Sequence, residues 1–234
     1  NNMVKDISFW KKFIELNLNY NIDYMVENSI KDFHFKGLNY ICVQFTPHLT
    51  VRLYVIEPSE PVDTKNGNIH NHLYDSQILV LTSSIKNNVY KKVDGDEYNH
   101  YFLTSALCPT NESKKIKLDS LGKCGLEKIK TIELLPGDTH FQDHTEIHNV
   151  ENDTSKLTAF MVFEFPTIKD NSILFSKKIS IYSKSLYGYL KRPQSLMSTK
   201  HKNYNFVFSY YQDIFNFFNT LPNDPFYNDA KNLS

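Results

Sequence analysis

The chain is poor in the residues that staple or punctuate small domains. Its 234 residues hold three cysteines, seven glycines and a single tryptophan. Cys42, Cys108 and Cys124 are odd in number and form no CxxC pair. That argues against a disulfide framework and a cysteine-built zinc knuckle, and it favours a reducing compartment. So few glycines leave little material for a phosphate-cradling loop: no Gly-rich turn opens a helix, and no GxSxG marks a serine nucleophile. An excess of charge is missing too. Twenty-six Lys and Arg balance 26 Asp and Glu, and no basic cluster offers the electrostatic footprint of a nucleic-acid binder. No apolar run approaches the roughly 20 residues that span a bilayer. The opening "NNMVKDISFW" lacks the charged segment followed by an apolar one that marks a secretion signal. The expectation is a cytoplasmic protein without nucleic-acid or membrane partners.

What is present reads as one soluble domain, 41% hydrophobic and 22% charged. Ile7, Trp10, Phe13, Ile14 and Leu16 recur at helical spacing and predict a helix over about 6–26 with Asp6 as its cap. From residue 38 the period changes. "LNYICVQFT" and "LTVRLYVIEP" are β-rich and are closed by Pro47 and Pro58; "SQILVLTSSI" and "NVYKK" follow. Asp94-Gly95 reads as a turn before "EYNHYFLTSA", and the polar stretch 108–126 reads as a loop or insertion. "KIKTIELLPGD" and "KLTAFMVFEFP" supply two more strands, with a further one expected within 177–190. Phe208, Tyr211, Phe215 and Phe218 predict a C-terminal helix over about 203–219 packed on the body. Many short strands with turn signals imply a sandwich or barrel, here flanked by a helix at each end.

Five of the nine histidines fall in two groups: His70 and His72 in "NGNIHNHLYDSQILVL", and His140, His144 and His148 in "PGDTHFQDHTEIHNVEND". Alternate residues of an extended chain point the same way. His70 and His72 therefore converge on one ion if that stretch is extended, and His148 can join them from a neighbouring strand. Three neutral imidazoles with open positions suit Fe(II), and also Mn, Ni, Cu or Zn.

These stretches resemble the two motifs of the cupin family. "HNH" followed by Gln77 and then Ser84 is similar to the first motif, and "GDTHFQDHTEIHNVEN" to the second, with Gly137, His148 and Asn152 in register. Asp143 and Thr145 stand where Pro and Gly are usual, and Gln77 stands where a glutamate ligand is usual. The resemblance implies a mainly β, double-stranded β-helix (jelly-roll barrel) over about 38–190, holding one divalent metal on His70, His72 and His148. "IHNH" and "HNVEN" are close to the thiol dioxygenase branch, but its Ser-His-Tyr relay positions hold Met161, Phe163 and Phe165. The resemblance therefore extends to a three-histidine site and not to cysteine oxidation.

The remaining candidates are assigned as follows. Gln77 is expected to face the metal and tune a bound water or the substrate. Met161 and Phe163 are expected to form an apolar pocket wall or else ordinary barrel core. Arg52, if it points inward, is a costly buried charge suited to an anionic substrate group, with Tyr54 on its face as a hydrogen-bond donor. His144 is a candidate acid or base beside the ligands. The resulting expectation is a metal-dependent oxygenase, with Fe(II) foremost, using O2 on a small and possibly anionic organic substrate. A non-catalytic small-molecule-binding cupin and a metal-dependent isomerase or lyase stay open, as does a homodimer paired through the barrels.

Overall fold

Residues 7–31, 37–58, 69–104 and 117–177 are described in the computed structural model. Among the described residues two helices, α1 (Ile7–Tyr20) and α2 (Ile22–Asn28), precede ten strands. These are β1 (Leu38–Phe45), β2 (Thr50–Ile56), β3 (Ile69–His70), β4 (Ser76–Thr82), β5 (Ile85–Thr104), β6 (Lys117–Leu134), β7 (Thr139–Gln142), β8 (Ile147–Asn152), β9 (Thr158–Glu164) and β10 (Ser172–Ser176). They form two five-stranded sheets, ordered β1-β2-β9-β4-β7 and β10-β3-β8-β5-β6. The antiparallel pairs are nested: β2 with β9, β3 with β8, β4 with β7 and β5 with β6. Pairing from the outside inward in this way, across two sheets, is the jelly-roll or double-stranded β-helix. The expected fold class is present.

Strand alternation divides the first sheet into two faces. Its outer face presents Val51, Leu53, Leu79, Leu81, Met161 and Phe163, which pack with Trp10, Ile14 and Leu18 of α1 and Met25 and Val26 of α2. The Trp10 and Phe163 rings lie 5.0 Å apart. Each of these side chains contributes about 1.5–3 kcal/mol by leaving water, so this seam is what holds the helices on the barrel. The inner face presents Tyr40, Cys42, Tyr54, Ile78, Val80 and Phe160, and it meets Ile85 and Leu134 of the second sheet.

Several expectations are corrected. The first helix divides at Asn21, and Leu16 is exposed; the buried place beside it is taken by Asn17, which donates to the Val43 carbonyl at 3.4 Å. Asp94-Gly95 is not a hairpin turn. It lies inside β5 as a bulge between the pairs Val93↔Gly125 and Tyr98↔Cys124. A Cβ on Gly95 would meet Gly125 Cα at 2.9 Å, so the two strands approach closely there because both residues are glycine. The stretch expected as a loop is strand from 117 onward, because nearly every residue of it finds a partner on β5. The strand expected within 177–190 and the helix at 203–219 lie outside the described residues. Among the described residues no helix is long and apolar enough to cross a membrane.

Candidate metal centre

Strand β3 is only two residues long, yet it fixes the first ligand candidate. His70 is paired with His148 on β8 and with Leu174 on β10. The chain then leaves the ladder, and Asn71 pins it: its Oδ1 accepts from Ile173 N at 2.6 Å, and its own N–H donates to Ile173 O at 3.1 Å. His72 N donates to His144 O at 3.2 Å, which holds the second imidazole over the first. His70, His72 and His148 thus come together, with one ring nitrogen of each within 4.8 Å of the others. The ring centroids are 4.7 Å apart for His70 and His72, 5.2 Å for His70 and His148, and 5.0 Å for His72 and His148.

The tautomer of His148 follows from its neighbour. Asn87 Oδ1 lies 2.6 Å from His148 Nδ1, while Asn87 Nδ2 donates to Glu146 Oε1 at 3.1 Å and lies 3.2 Å from His140 Nε2. A carboxamide oxygen only accepts, so His148 Nδ1 carries the hydrogen and Nε2 is left bare. Burial, helped by His70 and His140, lowers the His148 pKa well below the usual imidazole value, so the ring is neutral near pH 7. His148 Nε2 and His72 Nε2 are 2.9 Å apart. Two nitrogens at right angles on an ion about 2.1 Å from each would be separated by about 3.0 Å. The donor set therefore fits a divalent ion, with Asn87 as the group that orients one ligand.

Further into the barrel lies a second polar cluster. Arg52 faces inward and is 7% exposed; its Nε sits 2.8 Å from Glu164 Oε1, and its Nη1 donates to Tyr54 Oη at 3.3 Å. The guanidinium also lies over the Tyr40 ring, 5.0 Å from its centroid. Tyr74 donates to Glu164 Oε1 at 2.7 Å, and its ring lies 5.5 Å from that of His72, so one tyrosine links the two clusters. Burial pushes the Glu164 carboxyl up against the opposing pull of Arg52, and burial likewise raises Tyr54 and Tyr74.

The other predicted residues fall elsewhere. Gln77 pairs with Phe163 and Phe141, and Leu79 pairs with Met161. That register puts Gln77, Met161 and Phe163 on the outer, helix-covered face, which corrects the expectation that Gln77 faces the metal and that Met161 and Phe163 line a pocket. The inward residues are their neighbours Ser76, Val162 and Glu164. Arg52 points inward, but Glu164 already supplies its countercharge. Tyr54 is inside the barrel with its hydroxyl held by Arg52. The ring of His144 turns to Asp75, with Nδ1 2.8 Å from Oδ1, while Asp143 Oδ1 is 3.8 Å away. Asp143 Oδ1 also accepts from Thr145 N at 2.8 Å, so an Asx turn makes the bend between β7 and β8.

Glu164, Asn87, Tyr74 and Gln142 were not legible as site residues. A signal existed for the first: Glu164 in "MVFEFP" and Arg52 in "VRLYV" are lone opposite charges in apolar strands, two residues apart along a shared ladder.

No protein-family model matches the chain, and no curated protein sequence is significantly similar to it. Among solved structures, it is similar to the hydroxypropylphosphonic acid epoxidase of S. wedmorenis at 16% identity and a TM-score of 0.35, over 58% of this chain and 54% of that one. A cupin superfamily protein of Desulfitobacterium hafniense aligns at 10% identity and a TM-score of 0.30, over 55% of this chain and 77% of the other. Hydroquinone 1,2-dioxygenase of a Sphingomonas species aligns at 12% identity and a TM-score of 0.32, over 54% and 65%. The chain spans about half the length of the epoxidase it matches.

Proposed function

We propose that this protein is a mononuclear, divalent-metal-dependent jelly-roll oxygenase that acts with O2 on a small organic substrate, Fe(II) being the working metal. The observation that carries this reading is the convergence of His70, His72 and His148, one of them locked by Asn87 with its Nε2 bare. A bound Fe(II) would supply Lewis acidity and one-electron chemistry at positions not taken by the three imidazoles. The chain's own residues do the rest. Asn87 orients His148 through a hydrogen bond, and the backbone of His144 sets the height of His72. Tyr74 is held beside His72 by Glu164. Ile78, Val80, Ile85 and Phe160 close the barrel behind the site and exclude water. Among the described residues no carboxylate joins the three imidazoles, so a bound ion would keep its full positive charge and favour an oxygen-donor substrate.

Reconstitution with Fe(II) under anaerobic conditions, followed by metal analysis and then by O2-uptake measurements against a panel of small hydroxy and carbonyl compounds, tests the reading. About one equivalent of iron and substrate-dependent O2 consumption are expected. Less than about half an equivalent of any divalent metal would sink it. Metal binding with turnover that consumes no O2 would leave the isomerase or lyase in its place.

A further inference from the structure

We propose that Gln142 is a substrate-binding residue of this site, its carboxamide N–H donating to a carbonyl or carboxylate oxygen of the substrate; the inference rests on the metal reading above. Strand β7 lays two polar side chains, His140 and Gln142, on the inner face, as their pairing with Ile78 and Ser76 shows. His140 is engaged by Asn87 and Glu146. Gln142 is not: it is 1% exposed, and its Nε2 has no hydrogen-bond partner among the described residues. Buried donors are seldom left so, and each exception calls for an explanation such as a catalytic role or a group that completes the bond.

The surroundings narrow what that ligand is. Across the ladder from Gln142 is Ser76, whose other neighbour is Glu164. The Glu164 carboxylate is taken by Arg52 and Tyr74 and does not serve Gln142. Two residues after Gln142, His144 O receives the N–H of His72, so the amide stands at the same end of the barrel as the three imidazoles. Arg52, the one guanidinium inside the barrel wall among the described residues, has its charge met by Glu164. Gln142 is therefore a neutral amide donor that the site offers to an oxygen acceptor, while the nearby Lys169 Nζ already donates to His144 O at 3.4 Å.

The test uses the full chain loaded with Co(II) and titrated with acetamide and with acetate, read from the visible absorption of the ion. Gln142→Leu should weaken the probe it recognises by about tenfold, the loss of one hydrogen bond, while Co(II) affinity stays within about twofold. Loss confined to acetamide assigns a carbonyl, and loss confined to acetate a carboxylate. Equal probe affinity in wild type and Gln142→Leu overturns the proposal, even if the melting temperature drops, since that pattern belongs to a structural role. Failure of both probes to bind the wild type overturns it as well. Failure of the wild type to bind Co(II) at all is separately visible and overturns the metal reading together with the inference.

Discussion

The two faces of the ribbon formed by β2, β9 and β4 carry opposite kinds of chemistry a single residue apart. Outside, Leu53, Leu79, Met161 and Phe163 meet α1 and α2 through apolar area alone. Inside, the same strands carry Arg52, Tyr54, Ser76 and Glu164, whose partners are specific atoms at 2.7–3.3 Å where they are bonded. Apolar contact is non-directional and tolerates exchange of one hydrocarbon for another. The inner face does not, because removing one partner leaves the other buried and unmatched. The outer face stores stability and the inner face stores geometry.

That contrast can be broken by substitution. The largest effect is expected from Glu164→Leu, which strands the Arg52 charge in the barrel and should cost about 3–5 kcal/mol in denaturant unfolding; the double variant Arg52→Met/Glu164→Leu should recover most of it. A double variant as unstable as the single would show that the ion pair is not what the inner face depends on. Phe163→Ala opens a hole beneath Trp10 and should cost about 3–4 kcal/mol, yet leave metal affinity unchanged once the protein is folded. A clear fall in metal affinity there would move Phe163 back into the site.

Smaller effects sharpen the comparison. Asn87→Leu removes the acceptor that fixes the His148 tautomer and should weaken metal binding by about 10–100-fold in a competitive chelator titration. Gln77→Ala should change neither metal affinity nor stability by more than about 0.5 kcal/mol, because the side chain lies half-buried on the helix side. A tenfold loss of metal from Gln77→Ala would contradict the register described here.

Much of this was legible in the residues, and the failures have a definite origin. The strand-rich body and its jelly-roll class follow from alternation and turn residues. The three histidines follow from HxH spacing and an in-register third ring. A motif spacing does not carry side-chain direction; the local alternation does. Stepping by twos from His72 leads through Tyr74 to Ser76 and Ile78, which face inward, whereas the motif spacing selected Gln77, which faces out. The first half of β6, residues 117–126, is unreadable for a different reason. Its polar, lysine-rich sequence resembles a loop, and only pairing across to β5 makes it a strand. Asn87 and Gln142 carry no pattern of their own; their meaning comes from atoms brought near by other strands.

On the proposed reading, the inner face of the second sheet, and not the rim around His144, holds the metal. That placement is tested most directly by the metal content of the full chain and two variants after identical Fe(II) reconstitution and desalting. Wild type and His144→Ala are expected to retain about one equivalent and His148→Ala almost none, since only His148 is buried with its Nε2 bare toward His72. Retention by His148→Ala together with loss from His144→Ala would contradict the account.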